Sequence, residues 1–530
     1  MSPTDISTVI LWIYLHRFSL PTMSSAVIVA LVTFATIYVI LQVLLRATQS
    51  KSEPRLLSAA VPFLGPAVGI ARHKVNYLVN LRKCYALPIQ TLRMPFQRIY
   101  VVNASHLIQA VQNKINLPTF VPTLLDFGML FSGLTKSSKA TLVQAYGIHG
   151  NGFTKSVHKH LSSGSGLQAA TRTAVDRMAA SVPNNLVTQG SVGLYDALRH
   201  QLMLALTGAI YGPENPYDDP ATQASWLEFV PGINHLLYSP FPSLTARKAL
   251  QARARVIGAF QKYFETGGHT QAFTMIPEMF KVNMAHGLCA AEAAKLEMAT
   301  SLAMLSSGAI SAFWLMFHIV SNPDSLRQCR QEILNLVTKE AATATGVAKL
   351  VDLSDIKQKC PTLIAMWQET LRYHSTVINI KKVQNDTTLA EQYYLKKDGI
   401  VMIPGTAVHH DTDTWGSNAS QFDQTRFLAP EGRKKLSNTT AFRPFGAGTT
   451  MCPGRHFSTN AILSLTVMIL LQFDIEVVEG VWRMPTKKNA DMWNAMPKPD
   501  WDIPVRITKR SDTSTEWKFV WGSGSIADTK

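Results

Sequence analysis

The chain has 530 residues, 46% of them hydrophobic and 16% charged, with a net charge of +16. That balance excludes a disordered chain, and 27 Pro and 30 Gly without a tract of either exclude collagen-like and low-complexity architectures. The basic excess admits an anionic membrane surface or an acidic protein partner. No zinc-ligand pairs and no basic helix with interleaved aromatics support nucleic acid, so no nucleic-acid partner is expected.

Residues 1–23 form a short N-terminal tail. From Ser24 to Leu45 no charged residue occurs. Such a stretch spans about 30 Å as a helix, the thickness of a bilayer's hydrocarbon core. Arg46, Lys51, Arg55, Arg72 and Lys74 follow it, whereas only His16 and Arg17 precede it closely. This bias predicts an uncleaved transmembrane anchor at 24–45 with the body on the cytosolic side. Pro62 and Pro66 mark a stiff linker over 46–66, and the body is expected over 67–530.

Within the body, 67–83 reads as helix and Gln90–Val102 as a hairpin turning near Arg93–Gln97. Much of 104–375 reads as helix with breaks. Residues 376–410 are richer in β-branched residues and turns, and Ile503–Ile507 reads as a strand. Met298–Val320 carries no acidic or basic side chain other than His318, so it could be a second membrane span. Thr300, Ser301, Ser306, Ser307 and Ser311 scattered along it favour the buried axis of a large domain instead. Asn322–Pro323 ends it. The fold class read from this pattern is mainly α with a small β-sheet region. Five cysteines (Cys84, Cys289, Cys329, Cys360, Cys452), odd in number and scattered, argue against a disulfide framework. Sequons at Asn103, Asn385, Asn418 and Asn438 would stay unmodified on a cytosolic body.

The segment that carries chemistry runs from Phe445 to Arg455. Cys452 alone would be read as a small buried hydrophobe. Gly446, Gly448 and Gly454 around it let the backbone approach a flat group closely, and Phe445 can pack against that group. The residues after Cys452 start a helix, whose N-terminus favours a thiolate.

On these residues the chain resembles the cytochrome P450 superfamily. Phe445, Gly448, Cys452 and Gly454 match its haem-binding signature, and the resemblance implies that fold behind one transmembrane helix, covering about residues 54–510. It implies haem b (iron protoporphyrin IX) as cofactor, with Cys452 as axial ligand of the iron, where a thiolate favours O–O cleavage. Where the family usually has a basic residue two positions before the cysteine, this chain has Thr450. Arg443 or Arg455 would then contact the haem propionate. Glu369 and Arg372 match the family's Glu-x-x-Arg pair, and Arg426, after Phe422, its second arginine; the three would form a buried structural cluster. His409–Gly416 resembles the stretch between them.

The central helix departs from the family. Counting back from Pro323 places Ser307 at the alcohol position and Ser306 where an acid is usual, and no acid lies between Glu297 and Asp324. Ser307 and Ser306 are the candidate catalytic residues for proton delivery. Buried hydroxyls bonding to the preceding turn are the plainer alternative. Ala312–Trp314 before Asn322–Pro323 resembles the microsomal branch of sterol 7α-hydroxylases and prostacyclin synthase. The function implied is a membrane-anchored haem-thiolate monooxygenase (an oxidoreductase using O2 and NADPH through a reductase), hydroxylating or epoxidising a bulky lipophilic molecule such as a terpenoid, steroid or polyketide in fungal secondary metabolite biosynthesis. The alternatives are a haem-thiolate isomerase or dehydratase without net oxygen insertion, and a haem-binding sensor or carrier. Expected pocket walls are Thr119–Leu134, the centre of the long helix, Ser375–Ile380 and Met492–Met496, apolar and without an identified anionic anchor. NADPH-cytochrome P450 reductase is the implied partner, with Lys155, His158, Lys159, His160, Arg433, Lys434, Lys435 and Arg443 bordering its docking face. Family habit implies the endoplasmic reticulum.

Overall fold

The computed structural model describes residues 25–57, 59–113, 129, 131–147, 151–186, 190–239, 241–343, 346–428, 440–448, 451–510 and 515–522. The first element is a helix, α1 (Ser25–Thr48), whose apolar side chains stand exposed along most of its length. At 24 residues it is about 36 Å long, enough to cross a bilayer. Its last carbonyl, that of Thr48, accepts from Arg98 Nη2 at 2.9 Å and Lys396 Nζ at 3.3 Å. Cations at a helix C-terminus satisfy orphan carbonyls and oppose the helix dipole. Just beyond, buried Glu53 accepts from the Tyr100 hydroxyl at 2.9 Å and pairs with Arg98 at 3.1 Å. The segment after α1 is thus fastened to the sheet of the body.

Residues 64–85 form two helices, α2 (Leu64–His73) and α3 (Val75–Tyr85), where the sequence suggests one. Lys74 between them has φ 48°, which ends the first helix. The hairpin β1 (Ile89–Met94) and β2 (Gln97–Val102) follows as expected. A four-stranded sheet completes it in the order β1-β2-β6-β5, where β5 is Ile378–Lys382 and β6 is Ile400–Pro404. β6 runs parallel to β2 and antiparallel to β5.

The helical part is built on α4 (Gly164–Asn185), α5 (Leu194–Tyr211), α9 (Gly308–Val320) and α11 (Arg455–Gln472), which pack on one another. Twelve of the thirteen residues of α9 are buried, so its apolar circumference is core and not a membrane face. α6 (Pro220–Phe229) packs on α7 (Arg247–Glu265), which packs on α8 (Ala290–Leu305), and α10 (Pro361–His374) packs against α9. The apolar stretch read as one helix is broken: α8 ends at Leu305, α9 begins at Gly308, and Ser306–Ser307 form the gap. Asn322 caps the next helix, its side-chain oxygen accepting from the N–H groups of Asp324 and Ser325.

Besides a small hairpin of Thr387–Leu389 and Tyr393–Leu395, two three-stranded sheets close the body. In one, β3 (Val337–Thr343) and β4 (Gly346–Asp352) form a hairpin, and β9 (Thr515–Val520) joins β4 in parallel. In the other, β7 (Phe473–Val477) and β8 (Pro504–Lys509) pair antiparallel, and the short strand Val192–Gly193 pairs antiparallel with β8. The fold is mainly α with small sheets, preceded by one exposed apolar helix.

Candidate functional site

The loop before α11 folds back on itself. Cys452 N–H donates to the Phe445 carbonyl at 2.8 Å, and Gly446 N–H to that of Arg443 at 3.1 Å. Gly446 and Gly448 have φ of 80° and 62°, in the left-handed region where a side chain is strained. A Cβ built on Gly448 or Gly454 would meet no protein atom within 4 Å. These glycines therefore leave an open face beside the cysteine, as a flat group lying on the loop requires. Burial pushes the Cys452 thiol up from its ordinary range, while backbone N–H groups of Gly454 and Arg455 and the Arg455 guanidinium oppose that shift. A cation at the sulfur would reverse the balance in favour of the thiolate. Arg455 is also tied back by Nη1 to the Cys452 carbonyl at 3.1 Å. Thr450 lies outside the described residues.

Arg443 is 3% exposed. Its backbone N–H donates to His409 Nε2 at 3.0 Å and its Nε to Asn379 Oδ1 at 2.9 Å. With its amide turned so that the oxygen faces the guanidinium, Gln112 accepts from both terminal nitrogens, at 3.0 and 3.1 Å. Burial lowers the guanidinium to about 10. Lys381, two residues after Asn379 on β5 and so on the same strand face, donates Nζ to the Val111 carbonyl at 2.9 Å. Its ammonium is lowered by burial and by Arg443. Neither cation makes an ion pair among the described residues. Two desolvated cations held only by neutral acceptors form a local excess of positive charge that suits an anionic group. Lys381 lies in no motif of the sequence, and β-strand alternation from Asn379 is its only local signal.

Glu369 and Arg372 share one face of α10 and have no exposed side-chain surface. Arg372 Nε and Nη2 each reach a Glu369 oxygen at 2.7 Å. Its remaining donors reach the carbonyls of His409 at 2.6 Å, Ala419 at 2.7 Å and Gln421 at 2.9 Å. Arg426 comes to 3.6 Å from one Glu369 oxygen, and its terminal nitrogens are taken by the carbonyls of Trp415 and Asn418. The bidentate fork is therefore Arg372, and Arg426 clamps the loop. Burial raises the Glu369 carboxyl, opposed by Arg372, the Asp423 N–H and Arg426.

Ser306 and Ser307 occupy the gap between α8 and α9. Ser306 lines a cavity of about 140 Å³ with Ala309, Ile310, Leu202, Trp226 and Trp493. Ser307 Oγ donates to Asn494 Oδ1 at 3.1 Å. Ser311 Oγ donates to the Ser307 carbonyl at 2.8 Å, a bond to the preceding turn. Farther along α9, Trp314 Nε1 donates to the Pro497 carbonyl at 2.9 Å and its ring stacks on His374 at 4.0 Å. His374 and His318 share an Nε2–Nε2 hydrogen bond of 2.9 Å. Burial holds His318 down to about 3 and His374 well below its ordinary value.

Of the other expected regions, 114–128 and Arg433, Lys434 and Lys435 lie outside the described residues. Lys155 is exposed, and Lys159 and His160 both meet Glu278, at 2.8 and 3.0 Å. His158 bonds to Ser162 within its own turn.

A family profile described as "Cytochrome P450" matches residues 306–500. The "Cytochrome P450 monooxygenase nodJ" of Hypoxylon pulicicidum is 30% identical over 507 residues, covering 93% of this chain and 97% of that protein. A "Cytochrome P450 monooxygenase" of Gibberella zeae is 25% identical over 492 residues, or 89% and 92% of the two chains. "Cytochrome P450 7A1" of Sus scrofa is 27% identical over 227 residues, 41% of this chain and 45% of that one.

Proposed function

The chain belongs to the cytochrome P450 family and is a monooxygenase, and from that premise we propose that it is membrane-anchored and oxidises a bulky lipophilic small molecule in fungal secondary metabolism. The observation that carries the reading is Cys452, half-buried in a glycine loop with an open face, with the backbone N–H groups of Gly454 and Arg455 favouring its thiolate.

Cys452 would hold the iron of haem b, and Arg443 and Lys381 would hold its two carboxylates. Haem, when bound, supplies dioxygen activation, one oxygen atom going to substrate and the other to water with two electrons and two protons. The chain's own part is placement. Gly446 and Gly448 shape the loop. The Glu369–Arg372 pair ties α10 to the carbonyls of His409, Ala419 and Gln421, and so braces His409, whose Nε2 accepts from the Arg443 N–H. Ser306 and Ser307 put hydroxyls at the helix gap, where protons could be held. Leu202, Trp226, Ile310 and Trp493 give the adjacent cavity the apolar part of its lining, beside Arg199, Asp491 and Lys498.

Electrons would come from NADPH through NADPH-cytochrome P450 reductase, steered by basic surface such as exposed Lys155. Helix α1, apolar and exposed, would anchor the body on the cytosolic side of the endoplasmic reticulum. A terpenoid, steroid or polyketide would meet the apolar walls Leu202, Trp226, Ile310 and Trp493.

The test is turnover under labelled dioxygen with NADPH and reductase, screening lipophilic candidates of those three classes. One labelled oxygen atom in the product is expected. A product without label, formed without NADPH, would point to an isomerase or dehydratase, the reading suggested by the missing acid.

A further inference from the structure

We propose that Asn494 is the positioning residue for Ser307, standing at the helix gap in the place of an acidic neighbour and keeping the pair uncharged. The inference rests on the reading of Ser306–Ser307 as the polar pair of the oxygen side.

No carboxylate of α8 or α9 can serve there. Glu297 lies ten residues before Ser307, about 15 Å along the helix axis, and is buried accepting from the Tyr211 hydroxyl at 3.1 Å. Asp491 lines the same cavity but is engaged by Lys74 and by Asn234 Nδ2, the latter at 3.0 Å. The group that meets Ser307 comes from a segment 187 residues downstream. That segment is bolted in place on two sides. Thr376 Oγ1 donates to the Asn494 carbonyl at 3.1 Å and Thr376 N–H to that of Ala495 at 2.8 Å. Trp314 Nε1 holds the Pro497 carbonyl at 2.9 Å. Asn494 itself is 7% exposed, so its side chain has little freedom to leave the serine.

The chemistry follows from the amide. Its oxygen only accepts, so the Ser307 proton is directed at Asn494 and the serine's lone pairs face away from it. A hydroxyl fixed in that sense accepts from a neighbouring donor, and an amide does not titrate. An acid at the same place would change charge with pH. The titratable groups around the cavity are Tyr195, Arg199, Asp491 and Lys498, with Lys74 behind Asp491 and His374 behind Trp314.

The test uses the full-length haem-loaded protein with carbon monoxide as probe, reading the infrared stretch of the bound ligand, which reports the polarity and hydrogen bonding around it. Each variant must first give a thiolate-type visible spectrum. In the parent the frequency should hold constant from about pH 6 to 8.5, a range in which an amide does not titrate. Ser307→Ala and Asn494→Ala should shift it in the same direction, with no further shift in the double variant. Asn494→Asp, nearly isosteric, should give two bands that interconvert with pH. If Ser307→Ala shifts the frequency and neither Asn494 variant does, the assignment of Asn494 is overturned while the serine reading stands. If no variant, Ser306→Ala included, shifts it, the serine reading itself is wrong.

Discussion

The guanidinium of Arg372 grips the carboxylate of Glu369 with two hydrogen bonds of 2.7 Å, three residues away on the same helix and wholly out of solvent. Replacing Glu369 with Ala leaves Arg372 buried without its counter-charge, at a cost of about 3–5 kcal/mol. The carbonyls of His409, Ala419 and Gln421 would lose their fixed donor, and the segment carrying Arg443 would loosen. The Glu369→Ala variant should therefore purify without haem, measured as haem per polypeptide. A normal holoprotein would contradict the structural role given to the pair.

Arg443, two residues before Phe445, and Lys381 beside it are desolvated cations, and their proposed partners are the haem carboxylates. Arg443→Ala and Lys381→Ala should each speed transfer of haem to a scavenging haem protein by roughly tenfold or more, the worth of one charged hydrogen bond. The visible spectrum should keep its thiolate character, because Cys452 is untouched. Unchanged transfer rates in both variants would remove these residues from cofactor binding.

Buried neutral histidines set an acid limit on stability. His318, His374 and His409 are all depressed below their ordinary range, chiefly by burial. The unfolded chain, with histidines near pKa 6.5, binds protons that the folded chain refuses, so stability falls as pH drops below that value. Each such histidine contributes a slope of up to about 1.4 kcal/mol per pH unit. Thermal unfolding midpoints should be flat between about pH 7 and 8 and fall steeply from 6.5 to 5. His374→Gln, which keeps a polar group against Trp314 and His318, should lessen that fall. An equal fall in the variant would assign the acid sensitivity elsewhere.

Much of this arrangement is local and could be read from the chain alone. The exposed helix α1, the hairpin β1–β2 and the glycine loop at Cys452 each rest on contiguous residues. The pair Glu369–Arg372 is legible too, because helix geometry puts residues three apart together. The gap at Ser306–Ser307 was hidden, since hydropathy runs unbroken through it and only the backbone shows where the helix stops. Asn494 and Lys381 were hidden for another reason. Their partners lie 187 and 270 residues away, and sequence spacing carries no information about which distant loops meet. The parallel pairing of β9 with β4 is of the same kind. Arg426 shows the limit of pattern matching: its position was legible, but its engagement with the carbonyls of Trp415 and Asn418 depends on how the loop folds around it.

Cys452 as the axial thiolate of a haem reduced through a reductase is tested by the carbon monoxide difference spectrum of the full-length protein, reduced with NADPH and reductase, beside Cys452→Ala. A red-shifted, thiolate-type Soret band is expected in the parent and none in the variant. No such band with either NADPH or dithionite, in parent protein shown to be folded, would contradict that role of Cys452.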